Sequence, residues 1–359
     1  MAHAHLIPIF DGHNDALTRD DHAGIATGRP GGAIDLPKMA AGGMRGGMFA
    51  VYVPSHDFSS DMVPRDDGVI EQRMPPEIPH QQAATYVLAA AGRLFGLERA
   101  GQITVARTIA DIDAAKAGTP EGADPEGAGS ASAPVAVLHF EGAEAIDDEL
   151  EALETWYAAG LRSLGPVWSR PNRFGHGVPF ISPSSPDTGP GITEAGHRLV
   201  RRCSELGILV DLAHMNEAGF WDVARAELGP VVVSHAAAHT LSQASRNLTD
   251  RQLDAVKDSN GLVGVVFATQ FLRRDFAHTT DTDLHELVRH IEYIGLQIGL
   301  EHVALGSDFD GAKVPDAVRD ASCLPVLTAA LKAGGFFSDS ELELLCWDNW
   351  RRVMAAWWR

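Results

Sequence analysis

Short apolar runs, most of them followed by a longer stretch with helical spacing, recur along the whole chain. Eight read as strands: residues 7–10 (IPIF), 46–53 (GGMFAVYV), 134–140 (PVAVLHF), 161–168 (LRSLGPVW), 208–213 (ILVDLA), 230–235 (PVVVSH), 262–268 (LVGVVFA) and 302–307 (HVALGS). Runs this short, rich in β-branched and aromatic residues, are expected where both faces of a strand are buried, as in a parallel sheet. Residues 81–97, 150–160, 193–207, 281–299 and, after the last strand, 327–335 carry helical periodicity. Alternation of strand and helix on this scale predicts an α/β chain closed into a (β/α)8 TIM-type barrel, not an open sheet. A length of 359 residues suits one such barrel with insertions. No internal repeat or domain boundary breaks the pattern, so residues 1–359 are read as a single domain.

Two stretches stand apart. Residues 118–133 (GTPEGADPEGAGSASA) read as a flexible surface excursion. Residues 169–191 (SRPNRFGHGVPFISPSSPDTGPG) are too dense in proline and glycine for either regular element. A long loop after a barrel strand lies over the C-terminal face, where it is expected to help form a substrate pocket.

Composition narrows the partners. The chain is 45% hydrophobic and 21% charged, with a formal net charge of -19. Nucleic acid and anionic membrane surfaces are poor partners for such a chain, since both require clustered positive charge. The N-terminal MAHAHLIPIFDGHND lacks the basic and apolar regions of a secretory signal, and the closing AAWWR is too short for a lipid-anchor signal. No run of 18 apolar residues suggests a membrane-spanning helix. Cys203, Cys323 and Cys346 are odd in number and form no CxxC pair, which predicts free thiols and a cytoplasmic protein.

The chemistry gathers at the strand ends. In FDGHNDAL, His13 and Asp15 are two residues apart, so extended backbone would send both side chains from one face. Imidazole and carboxylate together suit zinc or a similar divalent ion. One HxD is a weak signal, but the pattern recurs. Glu141 ends the third run, His214 follows the fifth, His235 ends the sixth and Asp308 ends the eighth. Ionisable groups at the ends of buried strands are costly unless paired, and barrel enzymes keep their chemistry at this lip. Six ligands exceed the needs of one tetrahedral zinc with an open position. Two Zn2+ ions use them better, with His13, Asp15 and Asp308 on one, His214 and His235 on the other, and Glu141 bridging. Such a pair would bind a hydroxide between the ions and polarise a substrate carbonyl.

With DGHND, HFEG, LVDLAHMN, VVVSHAAAHTLSQASRNLTD and GSDFDG in this order over residues 11–311, the chain resembles the membrane (renal) dipeptidases, peptidase family M19 of the amidohydrolase-like barrels. The resemblance implies a dinuclear zinc enzyme that hydrolyses dipeptides with a free amino terminus, many members accepting a D-residue at the second position. It implies that Glu141 bridges the metals and that Asp308 doubles as proton carrier between the water and the leaving amine. Asp310 is the alternative for that task, or else supports the site or caps a turn. Arg246, in SRN, matches the arginine that grips the substrate's C-terminal carboxylate.

The chain also departs from the pattern. Where fourth-strand segments of the family often read T-H-S, with a histidine on the scissile carbonyl oxygen, this chain has VWS and places Trp168 there. Either Trp168 shapes the pocket or His176 reaches in. The family's carboxylate-contacting tyrosine after the seventh strand is replaced by a segment offering Phe267 and Phe271. The remaining histidines, among them His3, His5, His56, His139, His239, His278 and His290, read as structural or surface residues. Two rivals stand beside the dipeptidase: a metal-dependent amidohydrolase acting on another carboxylate-bearing amide, such as an N-acyl amino acid, and a catalytically silent barrel that binds small ligands. The expected partner is a small dipeptide, and a homodimer is the assembly kept in view.

Overall fold

All eight apolar runs form strands in the computed structural model, which describes residues 6–55, 61–118 and 133–359. In chain order they are β1 (Ile9–Asn14), β2 (Met44–Tyr52), β3 (Val135–Glu141), β4 (Leu161–Gly165), β5 (Leu209–Val210), β6 (Val232–Ala236), β7 (Leu262–Val265) and β8 (Val303–Leu305). Every neighbouring pair is parallel, and the longest ladder runs from Gly46↔Val135 to Tyr52↔Glu141 between β2 and β3. Regular pairing forms two arcs, β1 to β5 and β6 to β8. Single bridges, Asp211↔Val232 and Asn14↔Phe309, join them at both ends and close the ring.

Side chains reinforce each of these thin seams in the same way. Asp11 accepts from the Ser307 backbone N–H (2.7 Å) and hydroxyl (2.8 Å). Asp211 accepts from the Ser234 backbone N–H (2.7 Å) and hydroxyl (2.5 Å). All four residues are buried. Where the backbone ladder is too short to bind two strands, a buried carboxylate supplies the missing acceptors.

The helices foreseen from periodicity are present as His80–Arg99, Glu151–Ala159, Glu194–Leu206, Leu284–Ile298 and Leu324–Ala333. Others were not foreseen, including Glu217–Ala224, Asp250–Asp258 and Asn349–Trp357. Asp250–Asp258 starts with a capping box, Thr249 and Gln252 exchanging side-chain bonds with each other's backbone, a signal readable in T-D-R-Q. The C-terminal helix sends Trp350 into the barrel, where its indole donates to the Leu305 carbonyl (2.9 Å). A Cβ on Gly12 would come within 2.2 Å of that ring, and one on Gly264 within 1.9 Å of the Ser234 carbonyl oxygen and 3.1 Å of the ring. Gly12 therefore needs glycine because tryptophan fills the space, and Gly264 chiefly because the neighbouring strand's backbone does.

The Pro/Gly-rich segment 169–191 was expected to hold no regular element. It contains the strand Phe180–Ser182, paired antiparallel with Ile70–Gln72, which in turn pairs with Val63–Pro64. The partner supplies what local composition could not show. Most of the excursion at 118–133, and His3, His5 and His56, lie outside the described residues. Among the described residues, no helix is long and apolar enough to cross a membrane.

Candidate metal centre

Strand ends bring six ionisable side chains to one place. His13 and Asp15 come from the end of β1, Glu141 from β3, His214 from the turn after β5, His235 from β6 and Asp308 from the turn after β8. Their contacts converge on one oxygen. Glu141 Oε1 lies 3.0 Å from His214 Nε2, 3.5 Å from His235 Nε2 and 3.6 Å from His13 Nε2. His13 Nε2 is 3.4 Å from Asp15 Oδ2. The nitrogens of His214 and His235 face each other at 3.0 Å. Donor atoms of His13, Asp15 and Asp308 all lie within 4.8 Å of one another, as do those of His13, Glu141 and His235.

The protein alone does not satisfy this cluster. Both ring nitrogens of His13 and Oδ1 of Asp15 are buried without a hydrogen-bond partner among the described residues. Burial opposes charge on His13, yet Glu141, Asp15 and Asp308 beside it push its pKa up to about 10. That shift records a strongly negative enclosure that favours a cation. Burial also raises the Glu141 carboxyl well above the usual range and Asp308 to about 7. His214 and His235 are held well below the usual imidazole range, first by burial and then by the Arg246 and His13 charges. Neutral imidazole is the form that ligates a metal. Paired carboxylates and neutral imidazoles with buried, unpartnered donor atoms fit divalent metal.

Hydrogen bonds behind the cluster aim its rings. His214 Nδ1 meets Ser169 Oγ at 2.7 Å, and His235 Nδ1 meets Ser234 Oγ at 2.8 Å. Because the Ser234 hydroxyl donates to Asp211, it accepts from His235 Nδ1, which leaves Nε2 with a lone pair toward the cavity. The backbone is constrained as well. His214 (φ 65°) and Asp308 (φ 61°) occupy the left-handed region, which non-glycine residues seldom adopt away from functional sites. A Cβ on Gly311 would lie 2.2 Å from Asp15 Oδ2 and 2.4 Å from Asp308 Oδ1. Glycine there leaves the carboxylates their room.

The cluster opens into a cavity of about 320 Å³ whose wall includes Tyr52, Trp168, Phe180, Gln270, Phe271 and His278. Trp168 stacks near Tyr52 (4.9 Å), His214 (5.7 Å) and Phe180 (5.8 Å). Arg170, paired with buried Glu144, backs the Trp168 and Tyr52 rings. His176 is not among the residues lining the cavity. Asp310 also lines the cavity, but its carboxylate is engaged: it pairs with buried Arg29 and accepts from the backbone N–H of Ala33 (2.7 Å) and Ile34 (3.2 Å). It ties the loop after β1 to the turn after β8.

Arg246 is buried and, like His176, is not among the residues lining the cavity; it donates to the His235 carbonyl (2.8 Å), while its Nε has no partner among the described residues. Burial lowers its pKa to about 10 against the pull of Asp308, Glu141 and Asp211, so it stays charged at neutral pH. Its guanidinium lies 5.9 Å from the Phe271 ring centroid. His239 points away, its Nε2 donating to the Ser184 carbonyl (2.8 Å). Sequence reasoning missed Gln270, His278 and Tyr52 as cavity residues, and the serines that orient the histidines. Only position after a barrel strand could have flagged Gln270.

Comparison with known proteins agrees with this geometry. The profile of the membrane dipeptidases (peptidase family M19) matches residues 3–357. The crystal structure of dipeptidase AC, a metallo peptidase of family M19, is 43% identical, with a TM-score of 0.90 over 98% of this chain and 99% of that one. A metallo peptidase from Rhodobacter sphaeroides, liganded with a phosphinate mimic of the dipeptide L-Ala-D-Ala, is also 43% identical, with a TM-score of 0.89 over 98% of this chain and 100% of that one. In Klebsiella pneumoniae, the "Uncharacterized protein in pqqA 5'region" is 48% identical over 223 residues, 62% of this chain and 82% of that protein. The chain belongs to the membrane dipeptidase family, peptidase family M19, and is by that membership a metallo-dipeptidase.

Proposed function

We propose that the protein is a dinuclear zinc dipeptidase that hydrolyses L-Xaa-L-Xaa or L-Xaa-D-Xaa dipeptides. The observation that carries this reading is the enclosed set of three carboxylates and three imidazoles, the three Nε2 atoms 3.0–3.6 Å from Glu141 Oε1, with donor atoms that no described residue partners. His13, Asp15 and Asp308 would hold one ion, His214 and His235 the other, and Glu141 would bridge. When bound, two such ions supply Lewis acidity that acidifies water and polarises the scissile carbonyl.

The chain's own residues do the rest. Asp308 belongs both to the ligand set and to the cavity wall. Its carboxylate can take a proton from the attacking water and deliver it to the leaving amine nitrogen. The Arg246 guanidinium receives the substrate's C-terminal carboxylate, a geometry its planar fork matches. Placing that charge beside the ligand cluster limits the substrate to one residue beyond the scissile bond. Trp168 shapes the wall. The three free cysteines suit a reducing compartment, and we place the enzyme in the cytoplasm.

A second reading, hydrolysis of N-acyl amino acids, draws support from the aromatic wall of Trp168, Tyr52 and Phe180. One panel separates the two. The zinc-loaded protein is assayed on L,L and L,D dipeptides beside their N-acetylated counterparts, with metal counted per chain. Turnover of free dipeptides that stops with a chelator and returns with zinc, at two ions per chain, is expected. Turnover confined to the acetylated compounds would move the assignment to the second reading.

A further inference from the structure

Tyr52, Trp168 and Phe180 give the cavity an aromatic lining, and Phe180 packs against Phe271 (5.2 Å). The segment after β7 that carries Phe271 also presents two polar side chains to the cavity, each with a buried atom that no described residue answers. Gln270, on the short helix Thr269–Leu272, is 5% exposed, and its Oε1 is buried without a hydrogen-bond partner among the described residues. His278, eight residues on and half-buried, lines the same cavity, and its Nε2 is likewise buried and unpartnered. A buried carboxamide oxygen without a partner is costly, and most such groups in folded proteins are satisfied. Two from one segment, both lining one cavity, suggest that a ligand completes them.

The segment is held firmly enough to act as a wall. Thr269 N–H donates to the Lys313 carbonyl (2.9 Å), and Lys313 Nζ donates to the His278 carbonyl (3.3 Å). These bonds join it to the loop after β8. Burial, and then the Lys313 charge, keep the His278 ring below the usual imidazole range, so it offers one donor and one acceptor at neutral pH. Gln270 directly precedes Phe271, beside whose ring the Arg246 guanidinium sits. Gln270 is therefore next in sequence to the ring beside which Arg246 would hold the substrate carboxylate.

We infer that Gln270 and His278 form a subsite for a hydrogen-bonding side chain on the C-terminal residue of the substrate, making this a dipeptidase that favours polar over apolar residues there. The inference rests on the dipeptidase reading for its substrate and on the two unpartnered atoms for its specificity. Asparagine, aspartate and leucine have similar side-chain shapes, so they isolate polarity from size.

The test compares L-Ala-Asn, L-Ala-Asp and L-Ala-Leu, with L and D second residues, on wild type and on Gln270→Met and His278→Phe. At least one polar member should exceed leucine in kcat/KM by about tenfold in wild type, and Gln270→Met should bring the ratio near one. Since no described residue pairs with Gln270 Oε1, Gln270→Met should also keep its melting temperature and metal content. A wild-type ratio near one, or a ratio unchanged in both variants, would overturn the inference. Calorimetric binding of the same dipeptides to the metal-free protein reads the subsite without any bond being cleaved. Absence of all turnover would sink the dipeptidase reading, whereas equal binding of Asn, Asp and Leu dipeptides would sink the subsite.

Discussion

His290 shows how much one imidazole can fix in this fold. It is fully buried, accepts from the Ala238 backbone N–H at Nδ1 (3.1 Å) and donates to the Leu272 carbonyl from Nε2 (3.0 Å). The bond accepted at Nδ1 requires the neutral ring, and burial lowers the pKa from 6.5 to about 4. Above pH 6.5 the ring is neutral folded or unfolded. As pH falls toward 4 the unfolded chain takes up the proton first, so the folded state loses stability over that interval. The gap corresponds to about 3 kcal/mol. Wild type should therefore lose about 2–3 kcal/mol more than His290→Gln between pH 7.5 and 4.5 in denaturant unfolding, and parallel pH curves would refute this. At this scale the sequence was legible where charge met burial: His13, Glu141 and His235 close apolar runs. Gln270 and His278 were not legible, because an amide or imidazole near a strand end acquires meaning only when its lack of a partner is known.

Elements were legible in proportion to how locally they are determined. The eight barrel strands announced themselves because burial on both faces leaves continuous apolar runs. The strand Phe180–Ser182 did not, since its partner Ile70–Gln72 lies over a hundred residues away in a segment of unremarkable composition. The C-terminal helix Asn349–Trp357 was overlooked for a different reason. Its role depends on Trp350 entering a space that Gly12 vacates on β1. Trp350→Ala should empty that space and cost about 3–5 kcal/mol in denaturant unfolding. A loss below about 1 kcal/mol would mean that the barrel collapses around the gap without penalty.

For the molecule as a whole, the metal-ligand cluster is a local concentration of negative charge inside a chain already at -19. The carboxylates of Glu141 and Asp308, pushed up by burial, oppose folding when they ionise without a cation, and bound metal reverses that term. Mass action then requires that metal raise the folded state's stability. Chelation should lower the melting temperature by about 5 °C or more, and zinc should restore it; an unchanged transition would mean that the ions bind folded and unfolded chains alike. The two Asp–Ser stitches carry this further. They join the arcs β1 to β5 and β6 to β8 at seams where backbone pairing thins to single bridges. The ligands straddle the same division: His13, Asp15, Glu141 and His214 stand on the first arc and the turn following it, His235 and Asp308 on the second. Ions held between them would rivet one arc to the other, so that completing the circle and arming it for hydrolysis become a single event.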